Sequence, residues 1–158
     1  MIAAAALLVL AGCGGGATKP SLQSVRGDGY RFAAPAGWQV THAARMTSAA
    51  NDQELVSVTI FTLGRPFRAP LWEKTVPELD RVASQLATQL GGRVTKLEGG
   101  VLAGRRSRSY DIAFTRGGKA LVERIAFVFS GRREYQLLCR FAGDDSACRD
   151  FRTSFRLG

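Results

Sequence analysis

Histidine is almost absent from this 158-residue chain, where His42 stands alone. One imidazole and three cysteines leave no ligand set for a zinc-type centre, so no metal and no cofactor is expected. No CxxC pair is present, which argues against thiol redox chemistry. HExxH, the phosphate-binding P-loop, a nucleophile elbow and a paired-carboxylate site are missing as well. These absences lead us to expect a protein that is not an enzyme. Long apolar runs are also lacking: Ile2 to Leu10 covers about half of the ~20 residues that span a bilayer. Lysine is scarce, since 18 of the 22 basic residues are arginine.

The short apolar run has the length and composition of a signal-peptide core. Leu10-Ala11-Gly12-Cys13 follows it and resembles a bacterial lipoprotein box. That resemblance implies a diacylglyceryl thioether on Cys13, cleavage before it, and an acylated first residue of the mature chain. Several acyl chains at about 0.8 kcal/mol per buried methylene give stable anchoring. The leader is short and carries no Lys or Arg, so the translation start is expected upstream. Residues 1–12 are thus read as leader, 13–29 as lipidated cysteine and glycine-rich tether, and 30–158 as the domain. The expected location is the extracytoplasmic face of a cell membrane.

About 130 residues beyond the tether make one domain, able to bury roughly two thirds of its unfolded surface. The net charge of +9 falls entirely outside the leader. Outside a membrane such a surplus suits anionic envelope polymers, lipid headgroups or an acidic protein partner. Nucleic acid is not expected, because no nucleic-acid-reading motif or interleaved basic-aromatic run is present.

Tyr30 to Phe32 and then Pro35-Ala36-Gly37-Trp38 read as strand, turn and a second strand to His42. Thr47 to Gln53 reads as a polar loop, and Leu55 to Leu63, rich in Val, Ile, Thr and Phe, as a buried strand. Thr75-Val76-Pro77-Glu78 has the form of a capping box opening a helix over 75–90, with Leu79, Val82, Ala83, Leu86 and Leu90 on one face. Gly91-Gly92 ends it. A two-residue loop at Gly117-Gly118 would set Tyr110 opposite Ile125, Ile112 opposite Glu123 and Phe114 opposite Leu121. A three-residue loop at Gly131 to Arg133 would extend that face, setting Ile125 opposite Cys139. Asp144 or Asp145 caps a last helix bearing Ala147, Cys148, Phe151 and Phe155 on one side. Cys139 and Cys148 therefore point into one layer and are expected to form a disulfide. Helix 75–90 is expected on the opposite sheet face, which is also apolar at Ala113, Val122, Ala126, Val128 and Leu138, with Arg124 among them.

The order of elements resembles the PsbP-like fold, seen in an extrinsic photosystem II subunit, a Ran-binding import factor and many bacterial lipoproteins. The residues that carry it are Phe32 to Trp38, the single central helix, the hairpin Gly104 to Ser130, Arg133 to Leu137 and the closing Phe151 to Phe155. The resemblance implies an α+β domain, an antiparallel sheet of six or seven strands sandwiched by helices, with a binding or accessory role. It brings no catalytic residues, and a fold alone does not decide function.

Glu123 is the one carboxylate placed among apolar residues (Ile112, Leu121, Ile125), so a pocket with Tyr110 for a small ligand or a reaction is the alternative reading, Arg108 being one partner for the acid. Arg105, Arg106, Arg108, Arg132 and Arg133 start or end strands at one end of the sheet and form the candidate anion-binding cluster. Arg116-Gly117-Gly118-Lys119 reads as a hairpin turn rather than a phosphate loop, and His42 as solvated or structural. Asp144, Asp145 and Asp150 suit helix capping better than calcium.

Overall fold

A computed structural model of the chain describes residues 21–158. The leader, Cys13 and the first part of the tether lie outside the described residues. Strands β1 (Leu22–Gly27) and β2 (Tyr30–Pro35) form a small sheet with β10 (Arg156–Leu157). The remaining strands are β3 (Gln39–His42), β4 (Met46–Asn51), β5 (Glu54–Thr62), β6 (Arg93–Leu102), β7 (Arg105–Arg116), β8 (Lys119–Ser130) and β9 (Arg133–Phe141). They build a seven-stranded antiparallel sheet in the order β3-β4-β5-β9-β8-β7-β6. Helix α1 is Trp72–Gln89 and α2 is Ser146–Ser154.

Both faces of the large sheet are covered, as expected, but each helix takes the other's expected face. Helix α1 lies on the face of Tyr110, Ile125, Phe127 and Phe129, to which it brings Trp72, Leu79 and Ala83. Helix α2 and the small sheet cover the opposite face, packing Phe32, Phe151 and Phe155 on Val56, Val58, Ala126, Val128 and Leu137.

The β7–β8 register agrees with the expected one. Gly117 and Gly118 both take positive φ (57° and 76°), the conformation that a two-residue turn between twisted strands requires. The β8–β9 register is one residue off. The loop is Gly131-Arg132, so Ser130 opposes Arg133 and Cys139 opposes Arg124 instead of Ile125. A one-residue slip moves every side chain of β9 to the other face, which sends Cys139 toward α2. The Cys139–Cys148 disulfide forms there, with Cα atoms 5.6 Å apart.

Three further expectations are corrected. Leu22–Gly27, assigned to the tether, is strand β1, and it buries Val25 against the core. Met46–Asn51 is strand β4 rather than a loop, since its small residues fit under the small sheet. Helix α1 starts at Trp72, so Thr75 caps nothing: its hydroxyl donates back to the Leu71 carbonyl at 2.9 Å.

Candidate functional site: an arginine-lined cleft

The expected pocket around Tyr110 and Glu123 is filled by protein. Glu123 shares a face with Ile112 and Ile125 and is buried, but Arg140, directly opposite on β9, donates to its carboxylate at 2.8 Å. Arg108 is not its partner. The Arg108 guanidinium reaches α1, donating to Asp80 at 3.0 Å, and the Tyr110 hydroxyl donates to the same carboxylate. Burial, then the bond to Asp80, push the Tyr110 hydroxyl well above its ordinary value. Both residues thus hold the sheet to itself and to α1.

The five arginines of the expected cluster do sit at one end of the sheet, but they diverge. Arg106 and Arg108 turn to Glu73 and Asp80 on α1, Arg133 turns to Asp28 beside the small sheet, and Arg132 donates to the carbonyls of Leu63 and Gly64. Arg105 and Arg106 line a small cavity of about 240 Å³ with Phe67, Trp72 and Phe129. His42 is exposed beside the Thr47 hydroxyl. Asp144 receives the Ser146 backbone N–H and hydroxyl, while Asp145 turns inward. Among the described residues no group of three acidic, histidine or cysteine side chains is placed to hold a metal.

A different set of arginines converges. Between the β6–β7 turn and α2 lies a cleft of about 410 Å³, walled on one side by Val101, Leu102 and Ala103 and on the other by Arg149, Arg152, Thr153 and Arg156, with Arg124 between them. The local sequence explains the α2 wall. Cys148 and Phe151 fall on the core side of α2, so Arg149 and Arg152 form the adjoining stripe, and Arg156 follows at the start of β10, where the chain leaves the helix after buried Phe155. The β6–β7 turn supplies the other wall by holding Ala103 in the left-handed region (φ 48°), a conformation that costs a non-glycine residue about 1–2 kcal/mol.

The four guanidinium groups differ in their partners. Arg124 is held by two carboxylates, donating from Nε to Asp111 at 2.7 Å and from Nη1 to Asp145 at 3.1 Å. Arg149 pairs with Asp145 as well. Arg152 and Arg156 form no ion pair among the described residues. Arg152 donates from Nη2 to the Ser109 hydroxyl at 3.1 Å, and its Nε is buried without a hydrogen-bond partner. The Ser107 hydroxyl, two residues along the same face of β7, is buried and unpartnered too. Arg156 donates only to the carbonyls of Thr153 and Phe155, at the end of α2. Burial, then the charge of Arg124, push the Arg152 guanidinium down from its ordinary value, against the pull of Glu98 and Asp111. Glu98 itself is engaged by Lys96 at 2.7 Å.

A half-buried cation without an ion-pair partner is stabilised by an anion, and guanidinium forks suit planar pairs of oxygens. None of these groups gives up a proton near neutral pH, so what the guanidiniums offer is positive charge and hydrogen-bond donors rather than an acid or a base. The signal in the sequence was the Arg149-Arg152-Arg156 spacing next to the Cys148-Phe151-Phe155 stripe. Arg124 was visible only as a charge on an apolar face.

Comparison with known proteins places the architecture. A solution structure of cyanobacterial PsbP from Synechocystis matches 94% of this chain and 99% of its own, with a TM-score of 0.67 and 15% identity. The fold is PsbP-like. A crystal structure from Bacteroides thetaiotaomicron matches 82% of this chain with a TM-score of 0.56 and 7% identity, and the chain spans 45% of that protein's length. LpqN of Mycobacterium tuberculosis, described as involved in cell envelope biogenesis, overlaps with a TM-score of only 0.40 and 11% identity. No protein-family model and no curated protein matches the chain.

Proposed function

We propose that this protein is a non-catalytic accessory protein of the cell envelope, lipid-anchored through Cys13 on the extracytoplasmic face, that binds an anionic ligand in the cleft between the β6–β7 turn and α2. The observation that carries the binding role is Arg152, a half-buried cation lining the cleft with a buried, unpartnered Nε and no ion pair among the described residues. The Cys139–Cys148 bridge supports an oxidising compartment. The Leu10-Ala11-Gly12-Cys13 run supports the anchor. The alternative, a reactive or carrier pocket at Glu123 and Tyr110, is disfavoured by the protein groups that already hold both side chains.

The native gene with its upstream region is expressed, and the intact mass of the membrane-fraction protein is compared with that of Cys13→Ser. A gain of acyl mass that depends on Cys13, together with the mass deficit of an oxidised cysteine pair, is expected. A soluble, unacylated and reduced product would overturn the anchored reading.

A further inference from the structure

The charge balance of the cleft is informative about its ligand. Four guanidinium groups meet there, and two carboxylates, Asp111 and Asp145, pair with two of them. Arg152 and Arg156 remain, an excess of about two positive charges. A carboxylate ligand carries one negative charge, whereas a phosphate monoester carries about −1.5 to −2 near neutral pH and presents three acceptor oxygens. The monoester is the better electrostatic match for two cations, one on the last turn of α2 and one at the start of β10. Phosphate alone, however, leaves most of a cleft of about 410 Å³ unused. The opposite wall is apolar: Val101 is 69% exposed, and Leu102 and Ala103 rest on the core beneath it. Ala103 places a methyl group on that wall at a left-handed φ of 48°, where glycine would sit without strain.

We infer that the cleft is a binding site for a phosphate monoester bearing an apolar substituent, with Arg152 and Arg156 holding the phosphoryl oxygens and Val101, Leu102 and Ala103 receiving the substituent. Arg124 and Arg149, tied by Asp145, fix the position of α2 behind them. The inference rests on the anionic-ligand reading of the cleft and not on lipidation of Cys13. The same chemistry is offered by a phosphatidic-acid-type headgroup and by a soluble alkyl phosphate.

The test is calorimetric titration of the full chain carrying Cys13→Ser with four probes: inorganic phosphate, hexyl phosphate, dioctanoyl phosphatidic acid below its micelle concentration, and dioctanoyl phosphatidylcholine as the diester control. Hexyl phosphate or the phosphatidic acid is expected to bind about tenfold or more tighter than inorganic phosphate, with the diester weak. Preference for the phosphatidic acid over hexyl phosphate assigns a lipid headgroup, and equal affinity assigns a soluble monoester. Arg156→Ala, at an exposed position, and Arg152→Lys, which keeps the charge but loses the fork, are each expected to weaken binding, and Arg105→Ala to leave it unchanged. Inorganic phosphate binding as tightly as either ester, no binding of either ester, or affinity indifferent to both Arg152→Lys and Arg156→Ala would overturn the inference. Because the titrated chain is unanchored, failure here leaves the acylation experiment untouched, and the converse holds.

Discussion

At the scale of single residues, two tyrosines and one acid show how neighbours decide what a group does. Tyr110 sits beneath α1 with Asp80 and Arg108 as partners, and its hydroxyl is held neutral well above its ordinary pKa of about 10. A group whose pKa rises on folding stabilises the fold below its unfolded value, and that contribution is lost as pH climbs toward the folded value. Thermal stability is therefore expected to hold up to about pH 10 and to fall above it. In Tyr110→Phe the fall becomes shallower but persists, because Tyr30 is also raised by burial. Melting curves of both proteins over an alkaline pH series check this, and equal steepness would count against the role given to Tyr110. Glu123 carries a lesson about legibility. Its position among Ile112, Leu121 and Ile125 was readable from the hairpin, yet its partner was not. In the register expected from sequence Arg140 lies opposite Arg124, on the other face from Glu123, and only the observed register brings it opposite Glu123.

At the scale of elements, a strand with two apolar faces was legible as a strand, but its register with a neighbour was not. Along β8 the odd positions Ile125, Phe127 and Phe129 are apolar, and so are the even ones Val122, Ala126 and Val128. Sliding β9 by one residue trades the Glu123–Arg140 match for apolar pairs such as Phe127 with Leu137, so the hydrophobic pattern does not decide between loops of two and three residues. The turn at Gly131 (φ 57°) makes the choice. Strands β4 and β6 went unread for a related reason: β4 is built of small residues, and β6 is a largely exposed edge strand interrupted by Gly99-Gly100. The exit of α1, by contrast, was marked by its two glycines, which act differently. Gly91 takes φ 65° with open space around it, whereas a methyl on Gly92 would lie 2.3 Å from the Ala113 carbonyl oxygen and 2.8 Å from Phe114 Cβ. Gly91→Ala is expected to lower stability by about 1 kcal/mol, the strain of one residue in the left-handed region. Gly92→Ala is expected to lower it further, by about 2 kcal/mol or more, because α1 and β7 must move apart. Chemical denaturation of the two variants gives the order directly, and a Gly92→Ala protein as stable as Gly91→Ala would show that the helix exit relaxes freely.

At the scale of the whole molecule, the large sheet separates two cores that share no side-chain layer. The α1 core is tied across by the Asp80, Arg108 and Tyr110 bonds. The α2 core is tied by aromatic packing such as Phe32 on Phe151, by the Ser154 hydroxyl accepting from the Ala33 N–H, and by the bridge from Cys148 to Cys139 on β9. The bridge also lies beside the cleft, since Arg124 Nη1 is 3.9 Å from the Cys148 sulfur. Closing so short a loop restricts the unfolded chain modestly, so reduction of the wild-type protein is expected to lower stability by about 2–3 kcal/mol. The doubly substituted Cys139→Ala, Cys148→Ala protein should show a loss of similar size, with no further change on adding reductant. Denaturant unfolding of both proteins with and without reductant makes the comparison. Because α2 carries Arg149 and Arg152 and leads into Arg156 at the start of β10, the same loosening should weaken alkyl phosphate binding more than it disturbs the α1 side, which the fluorescence of buried Trp72 can follow in a Trp38→Phe background. A fully retained stability after reduction would instead mean that Phe151 and Phe155 alone hold α2 in place, and that the bridge contributes nothing to the geometry of the cleft.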